Sequence, residues 1–305
     1  VLGGHLGAVI GGLADEWIGR AGGPELPPLI PLARARLSEV LLLLLGGGLC
    51  VGVGLLDDRL GARLSPWAKL AVQALAAALA IGAGAKTSAF GVPWLNALIS
   101  FLWIVAITNA FNFVDNMDGL AGGLVVISSL ILWAVASQQG QFFMGITLLT
   151  LGGATMGFLP YNFPRARIYL GDAGSLFLGY TLAVLALFES YVTRDSPTLL
   201  PVLLPLVALT VPVFDMISVI VIRLKEGRPI YVGDKSHLSH RLVAMGMSRT
   251  MAVVTLYLIA AGLGLGALLL TKADLLGSVF VLAQWGISLV LVSVILYYAR
   301  KVKEP

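Results

Sequence analysis

The chain reads as a succession of apolar runs, each close to the length of a membrane crossing, separated by short polar joints. A hydrocarbon layer of roughly 30 Å takes about 20 helical residues at 1.5 Å each. By that measure the runs predict spans at 37–56, 66–84, 95–111, 120–137, 142–159, 174–191, 198–223, 251–270 and 276–299. A tenth, weaker span at 1–17 is Gly-rich, carries His5 near its head and stops at Asp15 and Glu16. The expected fold class is all-α: a polytopic integral membrane bundle of about 10 transmembrane helices, one domain over residues 1–305. The longest polar joint, 224–250, is expected to lie outside the membrane. Glycine clusters inside the spans (Gly46-Gly47-Gly48, Gly152-Gly153, and Gly262, Gly264 and Gly266) let helices approach closely in lipid, where apolar contact between helices gains little over contact with lipid tails.

Composition excludes the soluble classes. Hydrophobic residues make up 58% of the chain, charged residues 12%, and mean hydropathy is +0.93. With Gly counted and Tyr left out, the apolar share is roughly two thirds, against roughly 45–50% in soluble folds. A chain of 32.1 kDa has too little interior to hide that surface, so the remainder faces a lipid bilayer. The single cysteine, Cys50, excludes a disulfide scaffold, and a net charge of +4 without a basic face excludes a nucleic-acid partner.

Arginine and lysine set the orientation. One set of span ends holds Arg59, Arg63, Lys69, Arg165, Arg167, Arg223, Lys225, Arg228, Lys235, Arg241, Arg249, Arg300, Lys301 and Lys303; the other holds Arg20, Arg34, Arg36, Lys86, Arg194 and Lys272. The first side is expected to be cytoplasmic. No Met precedes Val1 and no signal segment is visible, so the chain is expected to lack at least a first helix and its following loop.

The acids are the most informative feature. Asp57, Asp58, Asp115, Asp118 and Asp172 all fall at the cytoplasmic ends of spans, in three separate segments. Apart from Arg59, next to the first pair, none has a basic neighbour at helical spacing. Carboxylates held together at a hydrocarbon boundary repel and are costly to desolvate, and Mg²⁺ held by one or two carboxylates plus substrate phosphates relieves both. Asp57 and Asp58 close the run Leu55-Leu56-Asp57-Asp58-Arg59, where a solvated helix end is the plain alternative. If the next helix continues, Asn109, Asn112, Asp115 and Asp118 share one stripe, with a polar seam between helices as the plain alternative. In Gly171-Asp172-Ala173-Gly174-Ser175, either Asp172 or Ser175 caps the next helix, or the glycines and helix start cradle a phosphate.

The cytoplasmic loop carries Asp234, His237, His240 and Arg241. Two histidines three residues apart, followed by arginine, suit a diphosphate; a zinc site with Asp234 and a solvated basic loop are the alternatives. Asp215, two turns inside Arg223, reads as a buttress of the bundle. Tyr161, Asn162, Arg165 and Arg167 precede Asp172 and are candidates for touching substrate.

Four segments in order resemble the polyprenyl-phosphate N-acetylhexosamine-1-phosphate transferase superfamily (glycosyltransferase family 4) over nearly the whole chain. They are Gly54-Leu55-Leu56-Asp57-Asp58, Asn109 to Gly122, Gly171 to Gly179, and Asp234 to Leu242 with its Ser236-His237-Leu238-Ser239-His240-Arg241 core. The histidine loop is more similar to the branch that uses UDP-GlcNAc than to the phospho-MurNAc-pentapeptide transferases, which stay as the alternative. Ser239 departs from that branch, where another histidine often stands. The resemblance implies transfer of a sugar-1-phosphate from a UDP-N-acetylhexosamine to polyprenyl (undecaprenyl) phosphate, with UMP released and lipid-linked envelope glycan synthesis begun. It implies Mg²⁺ (with Mn²⁺ able to substitute) on Asp172 and Asp115, and catalytic roles for Asp57, Asp58, Asp115 and Asp118. Substrate would be bound by Asn109, Asn112, His237, His240 and Arg241. It places the protein in the plasma membrane with the site on the cytoplasmic face, and is compatible with a homodimer. The reading from another class is an ion-coupled transporter, whose intramembrane acids bind cations.

Overall fold

The computed structural model describes residues 37–61, 64–192, 196–229 and 236–301, and in them the chain is all-helical. In chain order the helices are α1 (Leu37–Leu60), α2 (Pro66–Gly82), α3 (Pro93–Val114), α4 (Leu120–Gln138), α5 (Phe142–Asn162), α6 (Gly171–Phe188), a short 3₁₀ turn (Leu200–Leu203) running into α7 (Leu204–Ala208), α8 (Thr210–Lys225), α9 (Leu238–Ala244), α10 (Arg249–Leu270) and α11 (Leu275–Lys301). The expected span at 1–17 lies outside the described residues, as do Asp234 and Lys235.

Among the described residues seven helices are long and apolar enough to cross a membrane, or eight if one bent pair is a single span. Nine of the ten expected spans fall within the described residues, and two of those nine differ from expectation for physical reasons. Helix α2 has 17 residues, which at 1.5 Å each falls a few ångströms short of a bilayer core of roughly 30 Å. The run expected as one span at 198–223 is broken: α7 and α8 meet at 77°. Pro201, Pro205 and Pro212 punctuate it, and Pro212 has no N–H to return to the Ala208 carbonyl. Ser128 Oγ of α4 donates to that carbonyl instead, at 3.1 Å. Thr210 Oγ1 donates to the Val207 carbonyl at 2.6 Å and accepts from Trp285 Nε1 at 2.7 Å. The break persists in an apolar surrounding because neighbouring helices satisfy its backbone groups.

Helices α4 and α6 form the centre, with buried apolar residues such as Leu124, Leu132, Leu176, Leu182 and Leu185. Helix α1 packs on α2 and α6, α3 on α6, and α4 on α5 and α10. Helix α11 presents Phe280, Ile287, Val290 and Leu291 outward, as a lipid-facing helix does. The consequence for function is alternation: the end of α1, the start of α2, the end of α3, the start of α4, the end of α5 and the start of α6 converge at one end of the bundle.

Candidate active site

Helix α1 meets the start of α6 with almost no space between backbones. A Cβ on Gly54 would lie 2.4 Å from both N and Cα of Ala173, so only glycine permits this crossing. One turn further on, Asp58 reaches the first N–H groups of α6. Its Oδ1 accepts from the Asp172 amide at 2.9 Å and its Oδ2 from the Ala173 amide at 3.2 Å. Gly171, at φ +67°, turns the chain into this helix, and a Cβ there would strike the Asp58 carboxylate at 2.7 Å. Asp58 therefore caps α6 from another helix, a task the sequence reading offered to Asp172 or Ser175. The carboxylate meets the positive end of the α6 dipole, and it fixes the position of Asp172.

Around Asp172 the contacts are dense. Lys69, from the first turn of α2, places Nζ 2.8 Å from Asp57 Oδ2 and pairs also with Asp172 Oδ2. Asn112 Nδ2 donates to Asp172 Oδ1 at 2.9 Å and to Ser175 Oγ at 3.0 Å. Four helices thus meet at Asp172: α1 through Asp58 on its amide and through Asp57 by way of the shared Lys69, α2 through Lys69, α3 through Asn112, and α6 itself. The acids have no basic neighbour at helical spacing apart from Arg59, and Lys69 reaches two of them, Asp57 and Asp172, from another helix. In the sequence it reads only as an orientation marker, 12 residues from Asp57 and 103 from Asp172.

Asn109 lies one turn deeper. It donates to Gln73 Oε1 at 2.5 Å and to the Val105 carbonyl at 2.8 Å, and accepts from Gln73 Nε2 at 3.4 Å. Its amide is engaged within the α2–α3 contact. The helix does not continue through the four polar positions. Helix α3 stops at Val114, Asp115 leaves helical geometry at ψ 45°, and Gly119 turns the chain at φ +79°. Asp118 Oδ2 accepts the Ala166 amide at 3.0 Å. Asn162, buried at the end of α5, accepts the Gly119 amide at 2.8 Å and donates to the Ile168 carbonyl at 2.9 Å. These bonds tie the Asp115–Gly119 turn to the loop that leads into Asp172.

Asp115 is the least satisfied of the acids. Among the described residues its carboxylate has no hydrogen-bond partner, and burial, together with the charges of Asp172, Asp58 and Asp118, pushes it up to about 7. A carboxyl in that position fits a cation held by oxygen ligands, because a positive charge would relieve both causes at once. Among the described residues, no three Asp, Glu, His or Cys side chains surround a single point.

The histidine segment folds back onto this end. Helix α8 runs on to Lys225, yet His237 returns to Asp215, ten residues earlier and roughly 15 Å back along the helix. His237 Nδ1 lies 2.7 Å from Asp215 Oδ2, and Phe113 meets its ring edge-on at 5.9 Å between centroids. The Arg223 guanidinium covers Phe113 at 5.5 Å, with Arg223 itself buried. The His240 ring is 6.4 Å from that of His237, and Arg241 follows it on α9, half-buried. Ser239 Oγ donates to Asn116 Oδ1 at 2.5 Å, so the residue that departs from the expected histidine bonds to the α3–α4 turn. A cavity of about 120 Å³ lies beside that turn, lined by Asn116, Asp118, Phe163, His240 and Arg249 among others. Asp57, Asp58, Asn112, Asp115 and Asp172 are thus gathered in one cluster; Asp118 and His240 line the adjoining cavity.

Residues 40–189, the stretch that holds this cluster, match the family described as Glycosyl transferase family 4. The chain is 37% identical over 246 residues to the probable undecaprenyl-phosphate N-acetylglucosaminyl 1-phosphate transferase of Bacillus subtilis, covering 78% of this chain and 67% of that protein. It is 34% identical over 251 residues to the decaprenyl-phosphate N-acetylglucosaminephosphotransferase of Mycobacterium leprae, covering 73% and 63%. Similarity to the phospho-N-acetylmuramoyl-pentapeptide-transferase of Streptococcus thermophilus, at 33% identity, covers 44% of each chain. The chain belongs to glycosyl transferase family 4, and it spans about two thirds of the length of the first two relatives.

Proposed function

We propose that the protein transfers N-acetylglucosamine-1-phosphate from UDP-N-acetylglucosamine to polyprenyl phosphate at the cytoplasmic face of the plasma membrane. An oxygen of the lipid phosphate attacks the β-phosphorus of the nucleotide sugar. The bond from that phosphorus to the bridging oxygen breaks, UMP leaves, and a lipid diphosphate sugar is formed. The observation that carries this reading is the ammonium of Lys69 held between Asp57 and Asp172, with Asn112 and the cap from Asp58 fixing Asp172. Phosphoryl transfer requires little covalent work from a protein and much positioning of charge around the phosphoryl oxygens.

In this assignment Asp172 and Asp115 would hold Mg²⁺, which would supply positive charge to offset that of the diphosphate. Lys69 neutralises phosphate oxygens as they come within reach of Asp57. Asp57 orients the lipid phosphate; with a second phosphate pKa near 6, the acceptor needs little help in losing its proton. Asp58 keeps the start of α6 in register. The cavity by Asn116, Asp118, His240 and Arg249 takes the nucleotide side of the donor. Basic residues at this end of the bundle, among them Arg59, Lys69, Arg165, Arg167, Lys225 and Arg249, support its cytoplasmic placement. A lipid acceptor and a water-soluble donor can meet only at such a boundary.

The second reading, use of UDP-MurNAc-pentapeptide, draws on the shorter similarity described above. Incubation of the complete protein with polyprenyl phosphate, Mg²⁺ and each UDP-sugar in turn decides between them by UMP release. Release with UDP-GlcNAc supports the proposal, release with the pentapeptide donor alone selects the second reading, and release with no UDP-sugar removes both.

A further inference from the structure

Asp215 is a buried carboxylate that the phosphate-facing cluster does not use. It is 2% exposed, and both its oxygens are directed at one short segment 22 and 23 residues further along the chain. Oδ2 lies 2.7 Å from His237 Nδ1, and Oδ1 accepts the Leu238 backbone N–H at 2.6 Å. Burying a carboxylate costs several kcal/mol unless it is well paired, and a residue needed only to fill space would be apolar. The same segment is fixed on its other side. Phe113 meets the His237 ring edge-on, and the Ser239 hydroxyl donates to Asn116. Phe113 and Asn116 flank Val114 and Asp115, so the imidazole is tied to the turn that carries Asp115 and Asp118.

We propose that Asp215 is a positioning residue for His237. It holds the ring with Nδ1 protonated and so leaves Nε2 as the nitrogen presented to the diphosphate of the donor. The role in turnover rests on the transferase reading; the hydrogen bond itself does not. The chemistry is that of an imidazole whose second nitrogen is fixed by a carboxylate, which sets both tautomer and ring plane. In metal-bound histidines, loss of such a partner costs typically about 10–100-fold in function. The bond also explains why an acid stands ten residues inside the end of α8: its two oxygens hold His237 Nδ1 and the Leu238 amide, and without it the ring would lose the bond that fixes its plane. Deep placement gives the histidine a fixed anchor instead of a solvated one.

The test uses the complete protein and three measurements. With ¹⁵N-histidine labelling, this chain contributes only three imidazoles, and His237→Asn identifies the relevant one. A proton on Nδ1 of His237 is expected; a ring carrying its only proton on Nε2 overturns the proposal, whatever the activity. Asp215→Asn, which keeps shape but loses one acceptor, is expected to lower kcat/KM for the UDP-sugar about 10–100-fold. The KM for polyprenyl phosphate should stay unchanged; an unchanged kcat/KM for the UDP-sugar overturns the positioning role. In the His237→Asn background, Asp215→Asn is expected to cost nothing further, whereas additive losses show that Asp215 acts on the bundle and not through the ring. If Asp215→Asn does not accumulate as folded protein, the ¹⁵N measurement on the natural sequence still decides. If the unaltered protein releases no UMP from any UDP-sugar, the transferase reading fails while the tautomer result stands by itself.

Discussion

Gly54→Ala is a one-carbon change that tests whether the site depends on the α1–α6 crossing. The new Cβ would stand 2.4 Å from both N and Cα of Ala173, against ordinary carbon contacts of about 3.5–4.0 Å. Both partners are backbone, so neither can rotate away, and the helices must separate by about 1 Å. Overpacking of that kind costs about 1–3 kcal/mol. The displacement also reaches Asp58, one turn along α1, whose cap bonds at 2.9 and 3.2 Å would stretch beyond hydrogen-bonding range. Loss of a helix cap adds about 1 kcal/mol. Catalysis should suffer more than stability, because a shift near 1 Å at a reacting centre costs about a hundredfold. The assay is UMP release with the thermal midpoint in detergent measured beside it. Gly52→Ala serves as the control, since a Cβ there meets nothing within 4 Å. Gly54→Ala is expected to lose about a hundredfold in kcat while still folding, and Gly52→Ala to be unchanged. Full activity of Gly54→Ala would show that the close crossing does not set the geometry of Asp172.

Asp172→Asn keeps the Asn112 contact but loses the charge facing Lys69, and should lower turnover at least about a hundredfold without loss of folded protein; near-normal turnover removes Asp172 from the centre. Lys69→Gln leaves Asp57 and Asp172 without their shared cation, and kcat/KM is expected to fall by about one to two powers of ten, since such a charge-assisted bond is worth about 1.5–3 kcal/mol; an unchanged value would make the lysine a surface ion pair only. At the opposite end, Glu189 is buried against Tyr191, and burial pushes its carboxyl up to about 8 despite the Tyr191 hydroxyl bond, which lowers it. Its folded value exceeds the ordinary 4.5, so its contribution to stability is complete at pH below about 4.5 and is lost as pH rises through about 8. Glu189→Gln should flatten the fall of the thermal midpoint between those pH values, and an identical pH profile would show that the carboxyl is not held protonated.

How much of this was legible in the sequence depends on the range of the interaction. Apolar runs gave α1, α3, α4, α5, α6, α10 and α11 because lipid imposes one length on every crossing. Pro201, Pro205 and Pro212 lie around the break at Leu209, but the Ala208 carbonyl it frees is satisfied by Ser128, and the Thr210 hydroxyl is held by Trp285, both from distant helices, which no local pattern shows. The acids were visible as a group because carboxylates are rare in such a chain. Their division of labour was not, because Asp58 acts on amides 114 and 115 residues away. Lys69 looked like a topological marker, since its partners lie on other helices. Asp215 was in view as an intramembrane acid, the kind of residue that deserves a functional reading by default; it was read as a buttress because His237 lies 22 residues ahead, beyond a loop that must first fold back.

The central claim is that a sugar-1-phosphate, not a sugar, leaves the nucleotide at the cluster around Asp172. The direct measurement supplies the complete protein with polyprenyl phosphate and UDP-GlcNAc carrying label on its β-phosphate, then separates lipid from water. Label in the lipid fraction with unlabelled UMP in water is the expected result. Label remaining in water as UDP, or no lipid product while unaltered UDP-GlcNAc persists, would contradict it.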